Sequence, residues 1–169
     1  MRILGVDYGR RRIGLAISDE TETLATPLDG YRRARTLRRD MEFFRSLVAK
    51  RSINRIVVGL PYHMNGSAGE MVHEVESFVG QLREAVQRPV DTTDERLSSR
   101  TAQRRMIEGG VRKDRRKEML DSAAAAVILQ AFLDAQRSRK GSARTAEDEA
   151  TTSSLPAADT PESRQRPSS

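Results

Sequence analysis

Ile3-Leu4-Gly5-Val6-Asp7 and Ile13-Gly14-Leu15-Ala16-Ile17-Ser18 are two apolar runs parted by a short break of glycine and arginine. Each has the length and the Ile, Leu and Val content of a strand. So short a break joins only antiparallel neighbours, because a parallel crossover needs a dozen residues or more. The chain therefore opens on a β-hairpin. Residues 3–6 carry no polar side chain, as in a central strand covered on both faces. Asp7 falls where that strand ends, close to Gly9, a residue type that lets a backbone or a phosphate approach. The position suits a site carboxylate; a turn aspartate capping the 9–11 loop is the alternative.

Downstream, Thr23 to Tyr31 reads as a third strand, with Pro27 marking it as an edge. A helix is expected over about 36–51, burying Leu37, Met41, Phe44 and Val48, with Arg35, Arg38, Arg39 and Arg45 on a solvated face. Ile53 to Leu60 is a buried strand stopped by Pro61. Ser67-Ala68-Gly69-Glu70 has capping-box spacing and predicts a helix with Val72, Val75, Phe78, Val79, Leu82 and Val86 inward. Its start, after Asn65-Gly66, offers an anion site or is an ordinary strand-to-helix turn. Val90 to Glu95 is a last strand ending in two acids. Because successive strand side chains alternate, Asp94 and Glu95 cannot both face one site. A helix over about 98–108, a basic loop over 111–117 and a closing helix to about 137 follow. That helix is expected to bury Leu120, Ala124, Val127, Ile128, Ala131, Phe132 and Ala135. Asp121 lies on or beside this face, where a carboxylate is costly unless paired or bound to a metal.

The fold class expected is α/β. It is a five-stranded mixed sheet, a three-strand antiparallel meander plus two parallel strands, with helices on both faces. Residues 1–137 form the domain. Residues 138–169 are Ser-, Thr-, Pro- and Ala-rich with balanced charge and read as a disordered tail.

The chain of 169 residues is long enough for one sizeable core and too short for two large domains, which disfavours an actin-like kinase. With no Cys and two His, thiolate and His-rich metal sites are excluded, so a metal would be held by oxygen. No apolar run spans a bilayer, the chain opens on a strand rather than a signal segment, and a cytoplasmic location is expected. The net charge of +6 is Arg-heavy and suits a polyanionic partner. An aromatic content of 4% argues against a stacking platform for single strands.

Asp7 ends the first strand, Glu95 the last, and Asp121 lies on a helix that can pack over the sheet. Their tips can converge at the strands' carboxyl end, where sites of open α/β sheets lie. Three gathered carboxylates call for a divalent cation, Mg2+ or Mn2+. Two such ions clamp an in-line phosphodiester displacement. Arg10, Arg11, Arg96 and the basic 112–117 loop would hold the polyanion by its phosphates.

Four motifs in order resemble the YqgF family of ribonuclease H-like proteins, described as Holliday junction resolvases or pre-16S rRNA nucleases. They are Gly5-Val6-Asp7-Tyr8-Gly9 with Arg12-Ile13-Gly14-Leu15-Ala16; Val58-Gly59-Leu60-Pro61 with Met64-Asn65-Gly66-Ser67; Asp94-Glu95-Arg96-Leu97-Ser98; and Lys117 with Asp121-Ser122-Ala123-Ala124. The resemblance covers about residues 1–137. It implies a ribonuclease H-like fold with Asp7, Glu95 and Asp121 as metal-binding catalytic acids. The candidate nucleic-acid contacts are Gly9, Arg10, Arg11, Arg12, Asn65, Gly66, Ser67, Arg96, Arg112, Lys113 and Lys117. The activity implied is a metal-dependent endonuclease acting on structured nucleic acid. Trimming of the pre-16S rRNA 5′ end comes first and cleavage of four-way DNA is the runner-up. A non-catalytic RNA-binding factor in ribosome biogenesis is the third reading. The partner is nucleic acid and not a membrane, and the protein a monomer or a homodimer.

Overall fold

A computed structural model describes residues 1–61, 69–94 and 121–139. Strands β1 (Arg2–Asp7) and β2 (Arg12–Ser18) form the opening hairpin, with Leu4 opposite Ile17 and Asp7 opposite Gly14. The expected third strand is two pieces on β2. β3 (Ala25–Pro27) pairs with its end and β4 (Tyr31–Arg32) with its beginning. Pro27 has no N–H to give the ladder, and Leu28 resumes it by donating to the Leu15 carbonyl at 2.8 Å. Helix α1 (Leu37–Arg51), strand β5 (Ile53–Leu60), helix α2 (Glu70–Val86) and strand β6 (Val90–Asp94) follow. β5 pairs parallel with β1, and β6 parallel with β5. The sheet order is β3-β2-β1-β5-β6, with β4 also on β2. This is the expected mixed sheet, its hairpin side antiparallel and its far side parallel. Residues 121–139 are helical and are called α3.

The two faces of β1 divide the core. Leu4 and Val6 join Phe44, Val75, Phe78 and Leu82 on the side of α1 and α2. Ile3 joins Ala16, Val57, Ala125, Ile128, Leu129 and Leu133 on the side of α3. This is why residues 3–6 have no polar side chain. The α2 face is the one read from the sequence, since all six of its predicted residues are buried.

Three local expectations need correction. In α1 the buried set is Asp40, Met41, Phe44 and Val48, while Leu37 is exposed. Asp40 lies one turn before Phe44 on the flank of the expected stripe, and Leu37 is the first residue of the helix. Helix α2 begins at Glu70 with Gly69 as its N-cap and no side-chain cap. Glu70 is thus the first helical residue, not the third, and cannot reach back as a capping box requires. In α3 the buried residues are Ser122, Ala125, Ile128, Leu129 and Leu133. Ala124, Val127, Ala131 and Phe132 are half-buried and Ala135 is exposed. The helix is so apolar around its circumference that periodicity alone does not select its seam.

What selects it is close approach to glycine. A Cβ on Gly5 would lie 2.7 Å from the Leu129 Cβ and 2.9 Å from the Ala125 carbonyl oxygen. On Gly14 it would lie 2.0 Å from the Asp121 carbonyl oxygen. Real Cβ atoms do not sit this close to backbone, so α3 rests on the sheet only because both residues lack one. Gly14→Ala is expected to lift α3 and to cost about 3 kcal/mol, the upper range for overpacking. Gly80→Ala is the control, on an exposed helical site with open space, and should stabilise by up to about 1 kcal/mol. Urea denaturation of both variants checks the pair.

Candidate active site

Strand alternation puts Ile3, Gly5 and Asp7 on the face that α3 covers. Gly14, opposite Asp7 in β2, faces the same way. The Gly14 Cβ position is 2.4 Å from the Asp121 carbonyl carbon and 3.2 Å from its Cα. The backbone of Asp121 therefore packs onto the residue directly paired with Asp7. One β-pair gathers two of the three acids expected to share a site, one at the end of a central strand and one at the first described residue of α3. Both are half-buried.

The third expected acid, Glu95, lies outside the described residues, as do Asn65, Gly66, Ser67, Arg96, Arg112, Lys113 and Lys117. Asp94 pairs with Leu60, which belongs to the core under α1 and α2. Asp94 thus points to the side opposite Asp7. Among the described residues no three His, Cys, Asp or Glu side chains come together as a metal centre.

The β1–β2 loop brings the predicted arginines to the same end of the sheet. Gly9 makes the loop tight, since a Cβ there would lie 2.3 Å from the Arg12 carbonyl oxygen. Arg10 is exposed and donates from Nε to both carboxylate oxygens of Glu74 at 3.1 Å. Glu70 stands 3.8 Å from its Nη2. The mutual hydrogen bond raises the Arg10 pKa and lowers that of Glu74. Arg11 is exposed, and its carbonyl accepts from the Arg33 N–H at 3.1 Å. Arg12 is half-buried and pairs in register with Arg32 of β4. Five arginines, 10–12 and 32–33, thus flank the end of β1.

The sequence reading missed a polar network on the other face of β1. Asp40 is only 1% exposed. Its Oδ1 accepts from the Tyr31 hydroxyl at 2.9 Å and the Ala34 N–H at 2.8 Å. Its Oδ2 accepts from Arg33 Nε at 3.0 Å. Arg33 Nη1 in turn donates to the Tyr8 hydroxyl at 2.7 Å, and the guanidinium carbon lies 5.0 Å from the centre of the Tyr8 ring. The available signal was the spacing Asp40, Phe44, Val48, which places a carboxylate on the buried stripe of α1.

A mixed sheet in this order, covered on both faces, is a ribonuclease H-like fold. The fold is similar to that of RuvC from Thermus thermophilus solved in complex with a Holliday junction substrate. The TM-score is 0.55 at 14% identity, covering 81% of this chain and 96% of that one. In sequence, the chain belongs to the RuvX family, described as Holliday junction resolvase, whose pattern matches residues 1–135. Relatives from Desulforamulus reducens and Syntrophomonas wolfei are 40% and 42% identical over 134 residues, 79% of this chain and 97% and 94% of theirs. Both carry the name "Putative pre-16S rRNA nuclease". The family resemblance drawn from the four motifs is thereby borne out.

The network makes a prediction about stability. Asp40→Ala strands the Arg33 guanidinium, the Tyr31 hydroxyl and the Ala34 N–H without their acceptor. It should cost about 3 kcal/mol, read as a lowered urea midpoint.

Proposed function

We propose that the protein is a metal-dependent endonuclease that cleaves phosphodiester bonds in structured RNA, and that its substrate is the 5′ end of pre-16S rRNA. The observation that carries the reading is the gathering of Asp7 and Asp121 about the single residue Gly14. The relatives that share about two residues in five across nearly their whole length are named for the rRNA reaction. Cleavage of four-way DNA is the second reading, favoured by the description of the family.

The donor set fits a hard divalent cation. The chain has no Cys, and the two acids offer oxygens, the donors that Mg2+ and Mn2+ prefer. Asp7 and Asp121 would hold the ion, with Glu95 as the third ligand. When bound, the ion supplies charge neutralisation and polarises the phosphodiester and the attacking water. The rest of the chemistry belongs to the chain. Asp7 is carried by a central strand and Asp121 by helix backbone packed on glycine, so the backbone bearing each carboxylate is held in place. The arginines of the β1–β2 loop and of β4 neutralise and position the phosphates on either side of the scissile bond. Shape and backbone contacts suffice for a folded duplex, which agrees with the low aromatic content. Among the described residues no helix is long and apolar enough to cross a membrane.

Asp7→Asn and Asp121→Asn should each cut magnesium-dependent cleavage of precursor rRNA to below about one hundredth while binding persists. Gel assays with magnesium, manganese and chelator, run beside a synthetic four-way junction, test the reading. Undiminished cleavage by either variant overturns it. Preference for the junction selects the second reading. Arg10→Ala should lower the slope of log affinity against log salt by about one, measured by filter binding.

A further inference from the structure

We infer that Tyr8, held by Arg33 and through it by the buried Asp40, is a positioning residue for Asp7. The inference deepens the nuclease reading and rests on it. Tyr8 is the next residue after Asp7, and alternation sends its side chain to the opposite face of the sheet. There its ring packs on Phe78, with centroids 5.0 Å apart, and its hydroxyl accepts from Arg33 Nη1 at 2.7 Å. Arg33 cannot drift, because its Nε is held at 3.0 Å by a carboxylate that is itself fixed by Tyr31 and Ala34.

The position of this network is informative. Asp7 is the last residue of β1, so the ladder holds the backbone on its N-terminal side only. On the other side the chain enters the Gly9 turn. Tyr8 is the one side chain between the two, and the Arg33–Asp40 pair ties it to α1. A buried ion pair is weak evidence for stability, since hydrophobic replacement often serves as well. Fixing the exit of the strand that carries a proposed metal-binding carboxylate is a task an apolar pair would do less specifically. Tyr8 and Arg33 both line an open surface groove, so water can replace the hydroxyl, and Tyr8→Phe should fold normally.

The test is Mn2+ titration of the full chain by calorimetry, with the melting temperature recorded for every variant. Partners that orient ligands typically change metal affinity by about 10- to 100-fold. Tyr8 acts one step further away, through backbone, so Tyr8→Phe should weaken Mn2+ binding by about fivefold with its melting temperature unchanged. In cleavage assays the half-saturating Mg2+ concentration should rise by the same factor. The maximal rate should recover at high Mg2+ and the KM for RNA should not move. A merely structural hydroxyl would shift the melting temperature and leave the Mn2+ affinity alone, and that result overturns the inference. Tyr31→Phe removes a hydroxyl bond to the same Asp40 but does not adjoin Asp7. An equal loss of Mn2+ affinity there would mean general loosening and would also overturn it. If Asp7→Asn binds Mn2+ as the parent does, the nuclease reading fails, and the inference with it. If Asp7→Asn loses binding and Tyr8→Phe keeps it, only the inference fails.

Discussion

The seating of α3 on Gly5 and Gly14 sets the geometry of the whole Asp7 face. A helix normally packs on a sheet through side chains on both surfaces. Here two of the strand residues supply no side chain, and helix backbone descends to where their Cβ atoms would be. The close approach brings Asp121 within reach of the β1 end without a long side chain or a loop to carry it. The same glycines weaken the strands that contain them, because an unsubstituted residue loses more freedom on folding. That cost is offset by packing of Ile3, Ala16 and Val57 against Ala125, Ile128, Leu129 and Leu133.

The two sides of the sheet do different work. The side of α1 and α2 is the larger core, closed by Phe44, which sits edge-to-face on Phe43 and Phe78 at 5.4 and 5.7 Å. A fully buried phenylalanine of this kind contributes about 2–3 kcal/mol. The side of α3 is thinner and ends at the acids. Among the described residues Asp40 is the only buried carboxylate, and each of its oxygens has a donor. It is linked to the end of β1 through Arg33, which donates to the Tyr8 hydroxyl.

Periodicity made legible those elements in which one face is clean. The hairpin, β5 and α2 follow the sequence closely because polar and apolar residues separate without exceptions. The failures have a common physical cause. In α3 nearly every position from 122 to 133 is small or apolar, so burial is decided by fit to Gly5 and Gly14, a tertiary fact. In α1 the residues Met41, Phe44 and Val48 are buried as expected, and adding Asp40 to them required knowing that Tyr31, Arg33 and Ala34 would offer donors. At Glu70 the spacing of a capping box was present, but the helix starts two residues later than that spacing requires. Of the proposed site, the sequence offers three acids as candidates, and Asp7 and Asp121 lie among the described residues. The means by which Asp121 approaches Asp7, helix backbone seated on Gly14, was not legible, because it depends on a close tertiary contact.

Charge at the end of β1 is balanced rather than simply positive. Asp7 lies on the face that α3 covers and Asp121 at the start of described α3, five arginines flank the end of β1, and Glu70 and Glu74 hold Arg10 from α2. An exposed ion pair is worth about 0.2–1 kcal/mol, so a phosphate can take Arg10 from Glu74 at small cost. Arg33 is different. Its guanidinium is committed to Asp40 and to Tyr8, and its side chain is only 19% exposed. The arginines therefore divide by burial into an exposed set, Arg10, Arg11 and Arg32, and a half-buried set, Arg12 and Arg33. Net charge alone cannot make that division. It follows from a carboxylate placed inside the fold at Asp40 and another placed outside it at Glu74.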